Sequence, residues 1–398
     1  MNNSMNEVRV EKTEDVIRVS LSGRIDSENA EEIKNEVLTQ VGEDESTPVE
    51  VDMEGLKYIS SAGLRVLLLL RKKHPDMKLI NVRPAIYDIL ETTGFTEMME
   101  VRKGHRRISV DDAVVIGRGA NGTLYRISDD NVVKVFNSPD SLEEIMRERE
   151  VARLALVLGI PTAISFDIVK VGDSYGSVYE MLDAKSFSKV IAEEPDKLDW
   201  CVTEYVNLLK KIHGTEVPEG KLPDMKETVI DWAEFMKDYL PAETSSKLMD
   251  LFKAVPQNNH MIHGDYHTKN VQLTGDEVLL IDLDTLAVGD PVFEFASIFN
   301  AYVGFSELDP NVVVEFQGCS AETAQEFWHK VLVEYFGTED PEFLRDIENK
   351  ARVVGYTRLI RRSIRRNGLE IEERRKEIDH WTKELIDLVA VTDRLSFT

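Results

Sequence analysis

Residues 263–270 read His-Gly-Asp-Tyr-His-Thr-Lys-Asn, and twelve positions beyond Asn270 stands Asp282, closing the apolar run Val278-Leu279-Leu280-Ile281. Asp265 is an acid able to orient or deprotonate a substrate hydroxyl. The Asn270 amide and the Asp282 carboxylate follow at the spacing with which phosphoryl-transfer enzymes hold magnesium. Alone, H-x-D-x-x-x-x-N is within reach of chance, because surface loops are rich in Asp, His and Asn. Its weight comes from partners placed upstream in a fixed order.

The first partner is the stretch 114–127, where Gly117, Gly119 and Gly122 form a full G-x-G-x-x-G between two β-prone runs. Glycines are needed where backbone must come close to phosphate oxygens or adopt a positive φ. In the dinucleotide-binding fingerprint the third glycine opens a helix. Here Leu124-Tyr125-Arg126-Ile127, a polar turn and the strand 132–136 follow instead, which predicts a hairpin. A glycine-rich hairpin with no ligand is the plain alternative.

Lys134 lies in the middle of that last strand, where a lysine is costly unless its charge is paired. A helix is expected from about residue 141, with 151, 154, 155 and 158 on its buried face. Glu150 borders that face, and Glu148 is the second choice for an inward-facing carboxylate. The bland reading of both is a solvated helix surface. Residues 177–182 read as a buried strand leading into a connection.

This order of glycine loop, strand lysine, helix glutamate, apolar strand, His-x-Asp loop and apolar-Asp resembles the protein-kinase-like superfamily. Within it the chain is similar to the aminoglycoside phosphotransferase and choline kinase branch. His267 stands two residues after Asp265, Ile281-Asp282-Leu283-Asp284 runs quickly to Gly289-Asp290-Pro291, and no long activation loop follows. The resemblance implies a bilobal α+β domain over 108–398, with an N-lobe at about 108–182 and a C-lobe at about 183–398. It also implies ATP and Mg²⁺ as cofactors and roles for individual residues. Asp265 would be the catalytic base or hydroxyl-positioning group, and Asn270 and Asp282 would hold the metal. Lys134 would meet phosphate with Glu150 orienting it, and Gly117, Gly119 and Gly122 would cover the triphosphate. His263 would steady the loop, and Asp284 would stand near the metal. Acceptor contacts are expected around 293–302 and 328–335.

Residues 1–104 have a different pattern. Strands are expected at 16–21, 49–53 and 77–82, a loop at 58–63, and helices around 31–37, 64–73 and 85–92, the first capped by Ser27 or Asn29. Such alternation predicts an α/β domain with helices over one sheet face. Gly23-Arg24-Ile25-Asp26 and the run from Asp52 to Leu64 resemble STAS domains, the anti-sigma factor antagonist family. That resemblance implies that Ser61 is a phosphorylation site controlling a partner. Ser60 stands where aspartate is usual, and Ala62 where a second serine is. A helix N-terminus favours an added phosphate. The alternative is that Ser60 or Ser61 is only an N-cap.

The boundary falls at 103–107, a short basic stretch without a long linker, so the two domains are expected to pack on each other. Asp and Glu number 73 against 48 Lys and Arg, a net charge of −25 that argues against nucleic acid or an anionic membrane as partner. An acidic C-lobe would suit a cationic acceptor, although solubility is the plainer account. Against that trend Arg352, Arg358, Arg361, Arg362, Arg365 and Arg366 cluster on one late helix, facing an anionic partner, the acidic body of the protein itself or, as is usual for such a run, solvent. Cys201 and Cys319 lack a metal-ligand pattern and are expected, in helical regions, as free thiols. With no signal sequence and no long apolar run, a cytoplasmic protein is expected. The reading is an active phosphotransferase for a small-molecule hydroxyl acceptor, with the STAS domain as regulator docking an anti-sigma factor or other signalling protein. The alternative is a signalling adaptor whose kinase-like part binds nucleotide or phosphorylates Ser61.

Overall fold

Alternation of apolar side chains along β2 (Ile17–Ile25) buries Ile17, Val19, Leu21 and Ile25 on one face and leaves the other half wet. The computed structural model describes residues 7–13, 15–42, 47–119 and 121–397. The chain falls into two compact units. One runs through Ile127 and adds Val133–Ser141 and Asp167–Val178; the other comprises Ser128–Val132, Leu142–Phe166 and Tyr179 onward.

In the first unit β2 is flanked by β1 (Glu7–Lys12), β3 (Val49–Asp52) and β4 (Leu56–Ile59), and the sheet continues through β5 (Lys78–Val82) to β6 (Val101–Lys103). Only β1 is antiparallel; the N-terminal half of β2 pairs with β3 and its C-terminal end with β4. Helices α1 (Ala30–Val41), α2 (Ser61–Lys73), α3 (Pro84–Thr92) and α4 (Phe95–Met98) complete an α/β domain around one apolar core. Two local expectations are corrected. Tyr58 and Ile59 belong to β4 rather than to a loop, because Ile59 is buried and pairs with Ile25. Asn29 precedes α1 but does not cap it: its side chain accepts from Asp26 N at 2.9 Å and donates to Arg24 O at 2.8 Å.

Two residues past β6 begins β7 (Arg106–Ile108), the edge of a second six-stranded sheet. Its order is β7, β11 (Asp167–Val171), β12 (Ser174–Glu180), β10 (Asn131–Phe136), β9 (Gly122–Arg126) and β8 (Val114–Arg118). The join is packed, as expected for domains without a long linker. Gly104 N donates to Val82 O at 2.7 Å, Arg83 Nε to Glu54 O at 2.8 Å, and the Arg107 guanidinium to the Glu54 carboxylate. His105 Nδ1 lies 3.3 Å from Ile168 O.

The second unit is helical. It contains α5 (Leu142–Val157), α6 (Phe187–Glu193), α7 (Leu198–His213), α8 (Met225–Met236), α9 (Ala242–Ala254), α10 (Pro291–Tyr302), α11 (Asn311–Gln317), α12 (Ala321–Phe336), α13 (Pro341–Arg365) and α14 (Glu372–Val391). Small strands β13 (Ala184–Ser186), β14 (Met261–Ile262), β15 (Val271–Thr274), β16 (Glu277–Leu280) and β17 (Ala287–Val288) frame the 263–270 segment. From Val292 to its end α10 is buried on every side, the mark of a central helix. Cys201 is a free thiol in α7; Cys319, also free, lies in the loop after α11 rather than in a helix. Among the described residues no helix is long and apolar enough to cross a membrane.

Candidate active site

The 263–270 loop leaves β14 and is tied down at almost every peptide. Glu294, on α10 and 0 % exposed, accepts from His263 N and from Gly264 N, the latter at 3.0 Å. Thr285 Oγ1 donates to His263 O at 2.7 Å, while Ser297 Oγ (3.0 Å) and Arg358 Nη1 (2.8 Å) donate to Gly264 O. Tyr205 and Tyr266 exchange hydroxyl-to-carbonyl bonds of 2.9 Å each, and Tyr302 Oη accepts from Thr268 N at 3.0 Å. Gly264 has φ 79°, and a Cβ there would stand 2.7 Å from Thr285 O, so no other residue fits. Backbone groups buried without partners are costly; here they are matched by side chains of α7, α10 and α13 and by Thr285.

At its centre the Asp265 side chain is 46 % exposed, with His267 Nε2 3.5 Å and Arg358 Nη2 4.0 Å from its carboxylate oxygens. Burial pushes the Asp265 carboxyl up, but the bond to His267 and the charges of His267, Arg358 and His263 outweigh it and hold the group at about 2. Burial pushes the His263 imidazole down, against the pull of Glu294 and Asp265. Its Nδ1 accepts from Asp265 N at 3.3 Å, which leaves Nε2–H to donate to Ile281 O at 3.4 Å. His263 is therefore a strut, as its position suggests.

Asn270 and Asp282 are brought together through the backbone: Asn270 O accepts from Ile281 N at 2.9 Å. The Asn270 amide nitrogen donates to Asp265 O at 3.0 Å, which commits it and leaves the side-chain oxygen as its ligand atom. Asp282 is exposed and has φ 61°, a left-handed conformation uncommon outside glycine and often kept at functional positions. One carboxylate plus one amide oxygen is a donor set suited to Mg²⁺, which takes few protein ligands and completes its shell with phosphate and water. The residues fit that ion.

In the first unit Gly117 lies within β8, Gly119 follows that strand, and Gly122 opens β9. Only Gly122 is required by its own neighbours, since a Cβ there would stand 2.4 Å from Val135 O. Lys134 is half-buried on β10, its Nζ 4.8 Å from the Phe136 ring centre. Within the second unit the buried line of α5 is Ile145, Ala152 and Ala155. Glu148 falls on that line and accepts from Tyr179 Oη at 3.3 Å, whereas Glu150 is exposed.

A cavity of about 300 Å³ opens beside Asp265 and His267. Its walls come from α10 (Ser297, Asn300, Ala301), the α11 region (Phe305, Val312, Val313, Phe316) and α13 (Arg358, Leu359, Arg362). Of the two stretches expected near an acceptor, 293–302 lines it and 328–335 does not. Glu294 and Ser297 fall inside the stretch expected near an acceptor and Arg358 inside the arginine cluster, but their role in holding the 263–270 loop was not expected. The one local sign of Glu294 is a carboxylate inside the apolar run Val292-Phe293-Glu294-Phe295-Ala296.

On the STAS side Ser60 caps α2, accepting from Ala62 N (3.2 Å) and Gly63 N (3.5 Å). Ser61 is the first helical residue, exposed, with no hydrogen bond from its hydroxyl among the described residues.

Residues 112–322 match the model of the Phosphotransferase enzyme family, and 7–109 match the STAS domain. BtrV of Bordetella bronchiseptica, which carries the name of an anti-sigma factor antagonist, is 34% identical over 96 residues, 23% of this chain and 82% of its own. Among solved structures, ADP-bound aminoglycoside phosphotransferase APH(2'')-Ib is 17% identical over 76% of this chain and 98% of that one, with a TM-score of 0.48. A thermostable mutant of APH(4)-Ia in ternary complex with AMP-PNP and hygromycin B is 14% identical over 70% and 93%, with a TM-score of 0.48. The chain belongs to the phosphotransferase enzyme family and carries a STAS domain of the anti-sigma factor antagonist type ahead of its phosphotransferase fold.

Proposed function

We propose that the chain transfers the γ-phosphate of ATP to a hydroxyl of a small acceptor, using residues 108–398, under the control of the STAS domain at 1–104. The observation that carries this reading is the placement of Asp265, its carboxylate beside His267 and Arg358 on a strapped loop at the mouth of a cavity. A carboxylate held at about 2 is a weak base toward an alcohol in the ground state. Its part is to orient the hydroxyl and to take the proton late, as the new O–P bond forms and the bond to ADP breaks. Bound Mg²⁺ would neutralise phosphate charge, and Asn270 and Asp282 are the residues to hold it. Lys134 meets phosphate, with Glu150, or Glu148 as the second choice, in the orienting role. Gly117, Gly119 and Gly122 form the loop over the triphosphate.

Ser61 is the regulatory phosphosite in this reading. Its free hydroxyl on an exposed helix start supports that role, and Ser60 already does the capping. A phosphate there would alter docking of an anti-sigma factor or other signalling partner.

The test is ADP release from Mg·ATP with intact-mass analysis of the protein. Asp265→Asn is expected to lower single-turnover transfer by about 10²–10⁴-fold while nucleotide binding persists. Equal transfer by both proteins would overturn the assignment. A phosphate appearing on Ser61 only in the wild type would favour the signalling reading over a small acceptor.

A further inference from the structure

The acceptor cavity has a charge opposite to that of the chain as a whole. The protein carries a net −25, yet the charged groups lining this cavity are Arg358, Arg362 and a single carboxylate, Asp265. The rest of the wall is apolar (Ala301, Phe305, Val312, Val313, Phe316, Leu359) or neutral polar. Arg358 is partly committed, since it holds Gly264 O and Ser297 Oγ and lies near Asp265. Arg362 is not: among the described residues it forms no hydrogen bond and no ion pair, and its guanidinium rests 5.2 Å from the Phe305 ring centre.

We propose that the acceptor is a small hydroxy compound with an oxyanion, a carboxylate or a phosphate ester, on a short apolar frame, its hydroxyl at Asp265 and its anion at Arg362. This inference rests on the phosphotransferase reading for the identity of the site. Arginine is the side chain whose planar fork matches both oxyanions, and stacking on an aromatic ring aims that fork. The surroundings of Arg362 agree: burial and the guanidiniums of Arg366 and Arg358 press its pKa down, with Asp265 opposing. Positive charge in excess of its one carboxylate, Asp265, is relieved by a bound anion. A polycationic acceptor of the aminoglycoside type would meet two guanidiniums here, so the overall acidity of the chain does not extend to its acceptor. About 300 Å³ is at the small end of ligand cavities, which limits the frame to a few carbons.

The test uses the full chain and a graded probe series. Terminal hydroxycarboxylates from hydroxypropionate to hydroxyoctanoate, and the matching hydroxyalkyl phosphates, are compared with diols and amino alcohols of equal length. Binding is measured by calorimetry with a non-hydrolysable ATP analogue present, and ADP release from Mg·ATP is measured separately. At the best length an acid is expected to bind at least about tenfold more tightly than the diol, with the amino alcohol weakest. Arg362→Gln is expected to reduce the acid to the diol's affinity, and Arg362→Lys to restore part of the preference. Whichever oxyanion wins names the source. The proposal is overturned if amino alcohols or diols match the acids at every length, if Arg362→Gln keeps the preference, or if no acid binds at millimolar concentration. Selective binding of acids without ADP release would instead refute phosphotransfer and leave the anion site standing. Turnover with amino alcohols as good as with acids would do the reverse.

Discussion

Replacing Glu294 by glutamine tests the strapped loop most directly. Glu294 is wholly buried on α10 and accepts from two consecutive backbone N–H groups, His263 and Gly264, on either side of the turn into Asp265. Glutamine keeps the volume but turns one oxygen into an NH₂ group facing one of those donors. A hydrogen bond to a charged group is lost and a buried donor is left unmatched, which together cost about 3 kcal/mol. In a body of this size that lowers the melting temperature by roughly 6–12 °C. All four tryptophans, Trp200, Trp232, Trp328 and Trp381, lie in the second unit, so their fluorescence in urea reports that unit alone. The loop would also shift, and displacement of a catalytic group by about 1 Å costs on the order of 10²-fold in turnover. A Glu294→Gln protein with the wild-type urea midpoint and wild-type kcat would refute the claim that Glu294 sets the position of Asp265.

Other consequences can be checked singly. Because Asp265 is held at about 2, below its ordinary 3.8, its ionised form and what it contributes are lost only as pH falls through about 2. His267→Asn removes the largest lowering influence, so the acid limb of kcat/KM for that variant should move to higher pH; superimposable profiles would sink the idea. Ser60→Ala should cost about 1 kcal/mol in calorimetric unfolding, as a lost N-cap does, whereas Ser61→Ala should stay within about 0.5 kcal/mol. Gly122→Ala forces a contact with Val135 O and should destabilise by about 1–3 kcal/mol, while Gly117→Ala, which meets Leu124 at an ordinary 3.7 Å, should unfold like wild type. Equal melting temperatures for those two glycine variants would contradict the steric argument.

What the sequence made legible is what short-range physics determines. The hairpin of β8 and β9 is written in glycines and alternating apolar residues, and Asp265, Asn270 and Asp282 in fixed spacing along one stretch. That Glu294 and Arg358 hold the 263–270 loop was not legible, because that work depends on α10 and α13 packing beside a loop many residues away. On α5 the expected face holds, with Ala155 buried and Val151, Leu154 and Leu158 packed against the core, but Ile145 and Ala152 are buried too, and of the two glutamates it is Glu148 rather than Glu150 that is half-buried. A helix this rich in charge offers more than one stripe, and only tertiary contact chooses. Tyr58 and Ile59 passed for loop because β4 has four residues, too few for alternation to register.

The join between the sheets bears on how such a protein could be assembled over generations. Gly104 and His105 alone separate β6 from β7, a reach of roughly 7 Å. A Cβ at Gly104 would stand 2.6 Å from Asn81 O, and Arg107 leans on Glu54 of the STAS domain. A foreign module spliced in at this point would have to bring its own glycine and its own acidic loop, or leave the β7 edge unsupported. The joint is therefore a hinge-pin rather than a tether: it is too short to slacken, so any movement of one sheet against the other has to turn about Gly104 and His105.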